Sequence, residues 1–271
     1  MTPEVVGALT EQQRAVALRV LAEEERSRRH IAVSLSGAHA YGFPSPDSDL
    51  DVKAVHIDPT AELLGFPRVP KPAERLEVVD GVEVDYTSNE LGHVLLGVLK
   101  GNGNYIERFL SGYLMAWAPS VHELKPLVQA SLSKRIARHY LGFATQQRME
   151  WEKGDHASAK KLLYVLRTSL TGTHALLRGE IVTDVTRLLE TYGFGEALEL
   201  VERKRHGEKS ELSEALRKKW AARIPDAFSQ LERAASQSQL PDEAPNADEL
   251  ERWLVAQRLS TLMTTQPLFG R

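Results

Sequence analysis

Two carboxylates separated by a single residue at the entrance to a strand constrain this chain more than any other feature. Residues 36 to 53 read SGAHAYGFPSPDSDLDVK. A small-residue turn (Ser36, Gly37, Ala38) closes the run HIAVSL, residues 30 to 35, whose apolar and β-branched content predicts a buried strand. FPSPDSD, residues 43 to 49, carries two prolines and several Asx and Ser turn formers, so it reads as a rigid loop. It delivers the chain into Leu50 to Ile57, which alternates roughly as a half-buried strand does. On a strand, side chains at i and i+2 share a face, so Asp49 and Asp51 project together. Carboxylates that close repel by about 1 kcal/mol at 4 Å in water and several-fold more near a protein surface. A cation has to hold them. Mg²⁺, or Mn²⁺ in its place, takes a few carboxylates and completes its shell with waters and substrate phosphates. A strand ending in a Gly turn can also aim backbone N–H groups at a phosphate, with Ser34 or Ser36 adding a hydroxyl. Together these are the parts of phosphoryl or nucleotidyl transfer. The plainer alternative is that Asp47, Asp49 and Asp51 are turn and cap residues, as most such pairs are.

A third acid lies further on. RLEVVDGVEVDYTS reads as a hairpin around Asp80-Gly81, a dipeptide favoured in type I′ turns. On its second arm Val82, Val84 and Tyr86 face one way and Glu83, Asp85 and Thr87 the other, so Asp85 reaches Asp49 and Asp51 if the strands are neighbours. Before the first strand, Thr10 and Gln13 form a capping-box pattern that opens a helix over 10 to 28. After the hairpin, Thr87 and Glu90 repeat the pattern and open a second helix that Gly101 ends; YIERFLSGYL is a third, with Glu107 read as an exposed helical residue.

From about Ser120 the pattern is helical throughout, with segments starting near Ser120, Ser133, Asp155, Thr183 and Gly195. The fold class is therefore α+β. A small mixed β-sheet with flanking helices spans residues 1–118, and an α-helical domain spans 119–271. In the segment KKLLYVLRTSL, Lys160, Tyr164, Arg167 and Thr171 recur at spacings of four, three and four and share a stripe. It reads either as a triphosphate clamp or as a solvated face. Residues 203 to 223 are basic, with Trp220 the local candidate for touching a nucleic-acid backbone, and TTQPLFGR reads as a loose tail.

Composition narrows the class. A chain of 271 residues with 42% hydrophobic content buries a sizeable core. Its formal charge of −3 gives no general pull toward nucleic acid, so a polyanion would have to meet a local basic patch. Zero cysteines exclude disulfides, zinc thiolates and thiol nucleophiles. No apolar run of membrane-spanning length and no signal-peptide pattern is present, so a soluble cytoplasmic protein is expected.

SGAHAYGFPSPDSDLDVK, with VEVDYTSNELGHVLLGVLKGN and KKLLYVLR, resembles the nucleotidyltransferases of the DNA polymerase beta superfamily associated with bacterial RNA repair pathways. The resemblance covers roughly residues 30 to 195. It implies a small mixed sheet followed by a helical domain closing over a nucleoside triphosphate. Gly37 with Ser36 and Ala38 would hold the triphosphate, Asp49 and Asp51 two Mg²⁺, and Asp85 would be the third acid, favouring deprotonation of the attacking hydroxyl. Lys160, Tyr164 and Arg167 match its helical-domain motif. The family's turn is usually Gly-Ser, whereas Ala38 follows Gly37 here. The implied reaction places a nucleoside monophosphate on RNA, foremost a tRNA 3′ end. The alternatives are a small-molecule acceptor, a protein side chain receiving AMP, or a nucleotide-binding regulator. The sequence leaves the choice of nucleotide and the oligomeric state open.

Overall fold

The computed structural model describes residues 1–64, 66, 72–153, 158–206 and 212–264. The expected tail after Thr264 and much of the proline-rich loop before Ala73 lie outside the described residues. A short helix α1 (Pro3–Ala8) and α2 (Glu11–Glu24) lead into strand β1 (Arg29–Leu35). The Thr10–Gln13 capping box is formed in both directions at the start of α2. After β1 the chain enters α3 (Gly37–Tyr41), crosses the Pro/Ser loop, and returns as β2 (Leu50–Ile57). A single turn, α4 (Thr60–Leu63), precedes the hairpin of β3 (Ala73–Val79) and β4 (Val82–Glu90). Val79 pairs with Val82 around Asp80 and Gly81, whose φ values of 50° and 77° are those a type I′ turn requires. Then come α5 (Leu91–Leu99), α6 (Gly103–Leu110) and a fifth strand, β5 (Leu114–Trp117).

The strands form one mixed sheet in the order β3-β4-β2-β1-β5. β1 lies antiparallel between β2 and β5, β2 and β4 are parallel, and β3 and β4 are antiparallel. After β5 the described elements are helices, among them α7 (Val121–Ala130), α8 (Ile136–Lys153), α9 (Ala159–Arg178), α10 (Thr186–Leu189), α11 (Leu198–Arg205), α12 (Glu214–Gln237) and α13 (Ala247–Thr264). The fold is α+β, as the residue pattern implied.

Two apolar clusters hold it. One joins Leu35, Val52 and Val84 to Leu162, Leu166 and Trp220; the other joins Ile31 and Val55 to Val94, Phe109, Tyr140 and Leu231. Both draw residues from either side of residue 118.

Four local expectations are corrected. The cap of α5 is Glu90, whose carboxylate accepts from His93 N–H at 3.1 Å, while Thr87 stays in the sheet because β4 runs on to Glu90. Leu114 starts a strand instead of ending a helix, since β1 has an open edge that β5 fills. Trp220 is fully buried in the core and cannot reach a nucleic-acid backbone. Glu107 is buried, not exposed, for the reason given below.

Candidate active site

The carboxylates meet at the end of the sheet where β1 leaves, β2 enters and β4 passes. Parallel pairing sets Asp51 directly opposite Asp85, on the face away from Val52, Val84 and Tyr86. Lys53, two residues on and so on the same face, places Nζ 2.9 Å from Asp85 and 3.9 Å from Asp51. Burial pushes the Asp51 carboxyl up to about 6; Lys53 opposes this, and the negative charges of Asp85 and Asp49 add to it. The pair thus demands positive charge, which Lys53 meets from one side. Asp49 stands ahead of β2, half-buried, and does not line the cavity. Among the described residues no three His, Asp or Glu side chains are gathered closely enough to hold an ion. The donors on offer are carboxylate oxygens, which suit a hard cation such as Mg²⁺ or Mn²⁺.

The glycine turn lies against this pair. Gly37 has φ +61°, and a Cβ there would sit 1.8 Å from Asp51 Oδ2, so only glycine lets the backbone approach the carboxylate. Ser36 N–H donates to Asp51 carbonyl oxygen at 2.9 Å, and Ser36 Oγ is 3.1 Å from Tyr41 Oη. The structure turns Ala38 into the core instead of the cavity. Behind α3, Thr183 Oγ1 donates to Ala40 carbonyl oxygen at 3.0 Å and Val185 N–H to Tyr41 at 3.1 Å, so a loop from the helical part fixes the turn.

A cavity of about 300 Å³ opens over these groups, lined among others by Ser36, Gly37, Asp51, Lys53, Asp85 and Tyr164. Tyr164 packs its ring 5.7 Å from Tyr41 and 5.5 Å from Phe43. Lys160 is half-buried and close enough for its charge to oppose the rise at Asp51. Arg167 is different. The expected stripe turns inward, with Arg167 and Thr171 fully buried. Arg167 pairs with Glu107, and its guanidinium lies 3.8 Å above the Tyr41 ring. Tyr140 Oη donates to the same Glu107 carboxylate at 3.0 Å. Burial would lower the Arg167 pKa, but Glu107 together with Tyr41 and Tyr140 outweighs it, and the guanidinium stays charged.

Sequence reasoning missed Lys53 and Arg108. Lys53 looked like one polar position in an alternating strand. Arg108, on the cavity wall, donates to Ala54 carbonyl oxygen at 2.7 Å and Asn89 Oδ1 at 2.8 Å, with burial drawing it down to about 10. Its only signal was a cation amid the apolar positions of a short helix.

The RNA repair pathway DNA polymerase beta family matches residues 11–256. An uncharacterized protein of Methanocaldococcus jannaschii is 32% identical over 165 residues, 60% of this chain and 67% of that protein. The uncharacterized protein YcgL of Bacillus subtilis is 28% identical over 207 residues, 72% of this chain and 78% of YcgL. A nucleotidyltransferase-like protein from Exiguobacterium sibiricum aligns over 91% of this chain and 80% of its own, with 12% identity and a TM-score of 0.34. No helix of the described residues is long and apolar enough to cross a membrane. The match spans both the sheet with its carboxylate pair and the helices around it, and the chain belongs to the RNA repair pathway DNA polymerase beta family, a group of polymerase beta-like nucleotidyltransferases.

Proposed function

We propose that the protein transfers a nucleoside monophosphate from a nucleoside triphosphate to a terminal hydroxyl of RNA, foremost a tRNA 3′ end, in the cytoplasm. The observation that carries the reading is the Asp51–Asp85 register pair, with the Lys53 ammonium beside it and the Gly37 backbone against Asp51. The acceptor oxygen bonds to the α-phosphorus, the bond from that phosphorus to the bridging oxygen breaks, and pyrophosphate leaves. Asp85, on the rim of the cavity, is the acid that receives the acceptor's proton. Asp51 and Asp85 would hold Mg²⁺ or Mn²⁺, which when bound lowers the acceptor's pKa and offsets the phosphate charge, while Asp49, ahead of β2 and off the cavity wall, adds negative charge nearby.

The remaining roles belong to the chain. Gly37 brings its backbone to the phosphates without a side chain in the way, and Ser36 supplies the hydroxyl that Ala38 lacks. Lys160 and Tyr164 approach from α9, which with the helical part from residue 119 covers the nucleotide. Arg167, committed to Glu107, orients Tyr41 and Tyr140 and does not touch phosphate.

The test is incubation with Mg²⁺, each α-labelled nucleoside triphosphate, and total tRNA beside a panel of small hydroxylated acceptors and acceptor proteins. Label on RNA, with pyrophosphate released, is the expected result. Label confined to a small molecule or a protein would reassign the acceptor. Tight nucleotide binding with no transfer would make the protein a regulator.

A further inference from the structure

A second cavity, of about 290 Å³, lies beside the first and is lined by Lys100, Gly101, Asn102, Arg135, Arg138 and His139. It exists because two glycines let the α5–α6 turn press onto the start of α8. A Cβ at Gly101 would meet Arg135 backbone at 2.6 Å, and one at Gly103 would meet His139 Cδ2 at 2.5 Å. Neighbouring side chains connect the walls of the two cavities. His139, on the wall of this one, stacks on Phe143, on the wall of the catalytic one, with ring centroids 5.9 Å apart and planes at 8°. Asn102 and Asn104, two residues apart, line one cavity each.

The charge here differs from that of the basic segment beyond residue 197. There Lys204 is buried on Ser45 and Ser48, and Arg205, Lys218, Lys219 and Arg223 pair with Glu202, Glu214, Glu199 and Glu196. Among the described residues, the exposed Arg203 and the half-buried Arg217 form no ion pair, but no aromatic step stands beside them in a cavity wall. In the groove, Arg135 pairs with Glu243, whereas Lys100 and Arg138 are exposed and, among the described residues, form no ion pair. Exposed cations followed by a half-buried aromatic step are what a single strand needs. The cations take phosphates and release counterions, and the rings take a base whose face is not already stacked. A duplex offers its phosphates but no free base face.

We propose that this groove binds the single-stranded 3′ end of the acceptor RNA: Lys100 and Arg138 hold its phosphates, His139 and Phe143 stack an unpaired base, and the terminal hydroxyl enters the catalytic cavity. The proposal rests on the transfer reading of that cavity and adds the route by which the acceptor reaches it. With a chain charge of −3, the local patch has to supply the attraction.

The test is fluorescence anisotropy of a short labelled single-stranded RNA against the full chain over a salt series, beside the blunt duplex of the same sequence, with label transfer to RNA followed in parallel. The wild type should prefer the single strand. Lys100→Glu/Arg138→Glu should lose roughly tenfold or more in affinity, and its salt slope should shrink by about 1.4, the share of two phosphate contacts on a single strand. Both residues are exposed, and an unchanged melting temperature shows that the variant is folded. RNA carrying 4-thiouridine near its 3′ end should crosslink to wild-type peptide containing His139 or Phe143. A variant with wild-type affinity and slope that still labels RNA would overturn the groove and leave the transfer reading standing, as would a crosslink confined to residues 198–206 or 212–223. A wild type that neither binds nor labels RNA, yet labels another acceptor, would overturn the RNA acceptor and the groove with it.

Discussion

At Asp51 burial and two neighbouring carboxylates act together against Lys53 and Lys160. The Asp51 carboxyl titrates near 6 in the folded chain and near 3.8 as a free group. The native state therefore keeps the proton longer than the unfolded chain, so ionising Asp51 destabilises the fold increasingly from about pH 4 to 6. A rise of this size corresponds to about 3 kcal/mol. In metal-free protein Asp51→Asn should be more stable than wild type above pH 6, by up to that amount, and the gap should close below pH 4. Urea unfolding across pH checks this, and a gap independent of pH would contradict it. The difference between the two proteins is the quantity to read, because His30, drawn down to about 4 by burial, adds the opposite slope to both. Gly37→Ala should fail in another way. Its Cβ would collide with Asp51, and φ +61° disfavours alanine, so stability should fall by about 1–3 kcal/mol with transfer lost. Wild-type transfer by that variant would remove the turn from the site. At this scale the sequence was readable where a period carried the information: strand parity put Asp85 on the face away from Val82, Val84 and Tyr86, but only the parallel β2–β4 register sets Asp51 opposite it, and Asp49 stands ahead of β2, where parity does not apply. It was unreadable for Glu107 and Arg167. Each looks like an exposed helical charge within its own segment, and the partner that allows burial is 60 positions away.

That pair ties α6 to α9. Removing one member leaves a buried charge unpaired, so Arg167→Met or Glu107→Gln alone should destabilise by about 3–5 kcal/mol. The double variant should recover a good part of this, because two neutral side chains leave no orphaned charge. Chemical denaturation of the full cycle measures it, and simple additivity would mean that the two groups do not interact. The cap of α2 makes a useful contrast. Thr10→Ala should cost about 1 kcal/mol by opening the capping box, with transfer unchanged, since α2 lends no side chain to the catalytic cavity. Helices announced by such caps were legible, as was the Asp80-Gly81 hairpin. β5 was not. LMAW has four residues, too few for alternation to separate strand from helix, and its strand character comes from the edge of β1 beside it.

For the whole molecule, the sheet and the helices share their apolar clusters. Leu35 and Val52 pack in the same cluster as Leu162 and Trp220, so residues 1–118 alone should lack a cooperative unfolding transition by circular dichroism, whereas the full chain should show one. The change from strands to helices near residue 120 was visible in the sequence because periodicity changed. The shared core was not, because contact between distant segments leaves no mark in either. The same packing brings α9 and the loop after it over the Gly37 turn. In the proposed reaction Asp51 and Asp85 together form the cation-holding heart of nucleotidyl transfer. The most direct measurement is transfer from α-labelled nucleoside triphosphate to RNA by wild type, Asp51→Asn and Asp85→Asn at saturating Mg²⁺, with unfolding curves for all three. Transfer should fall roughly a thousandfold or more in both variants while both remain folded. Wild-type transfer by either folded variant would contradict that role.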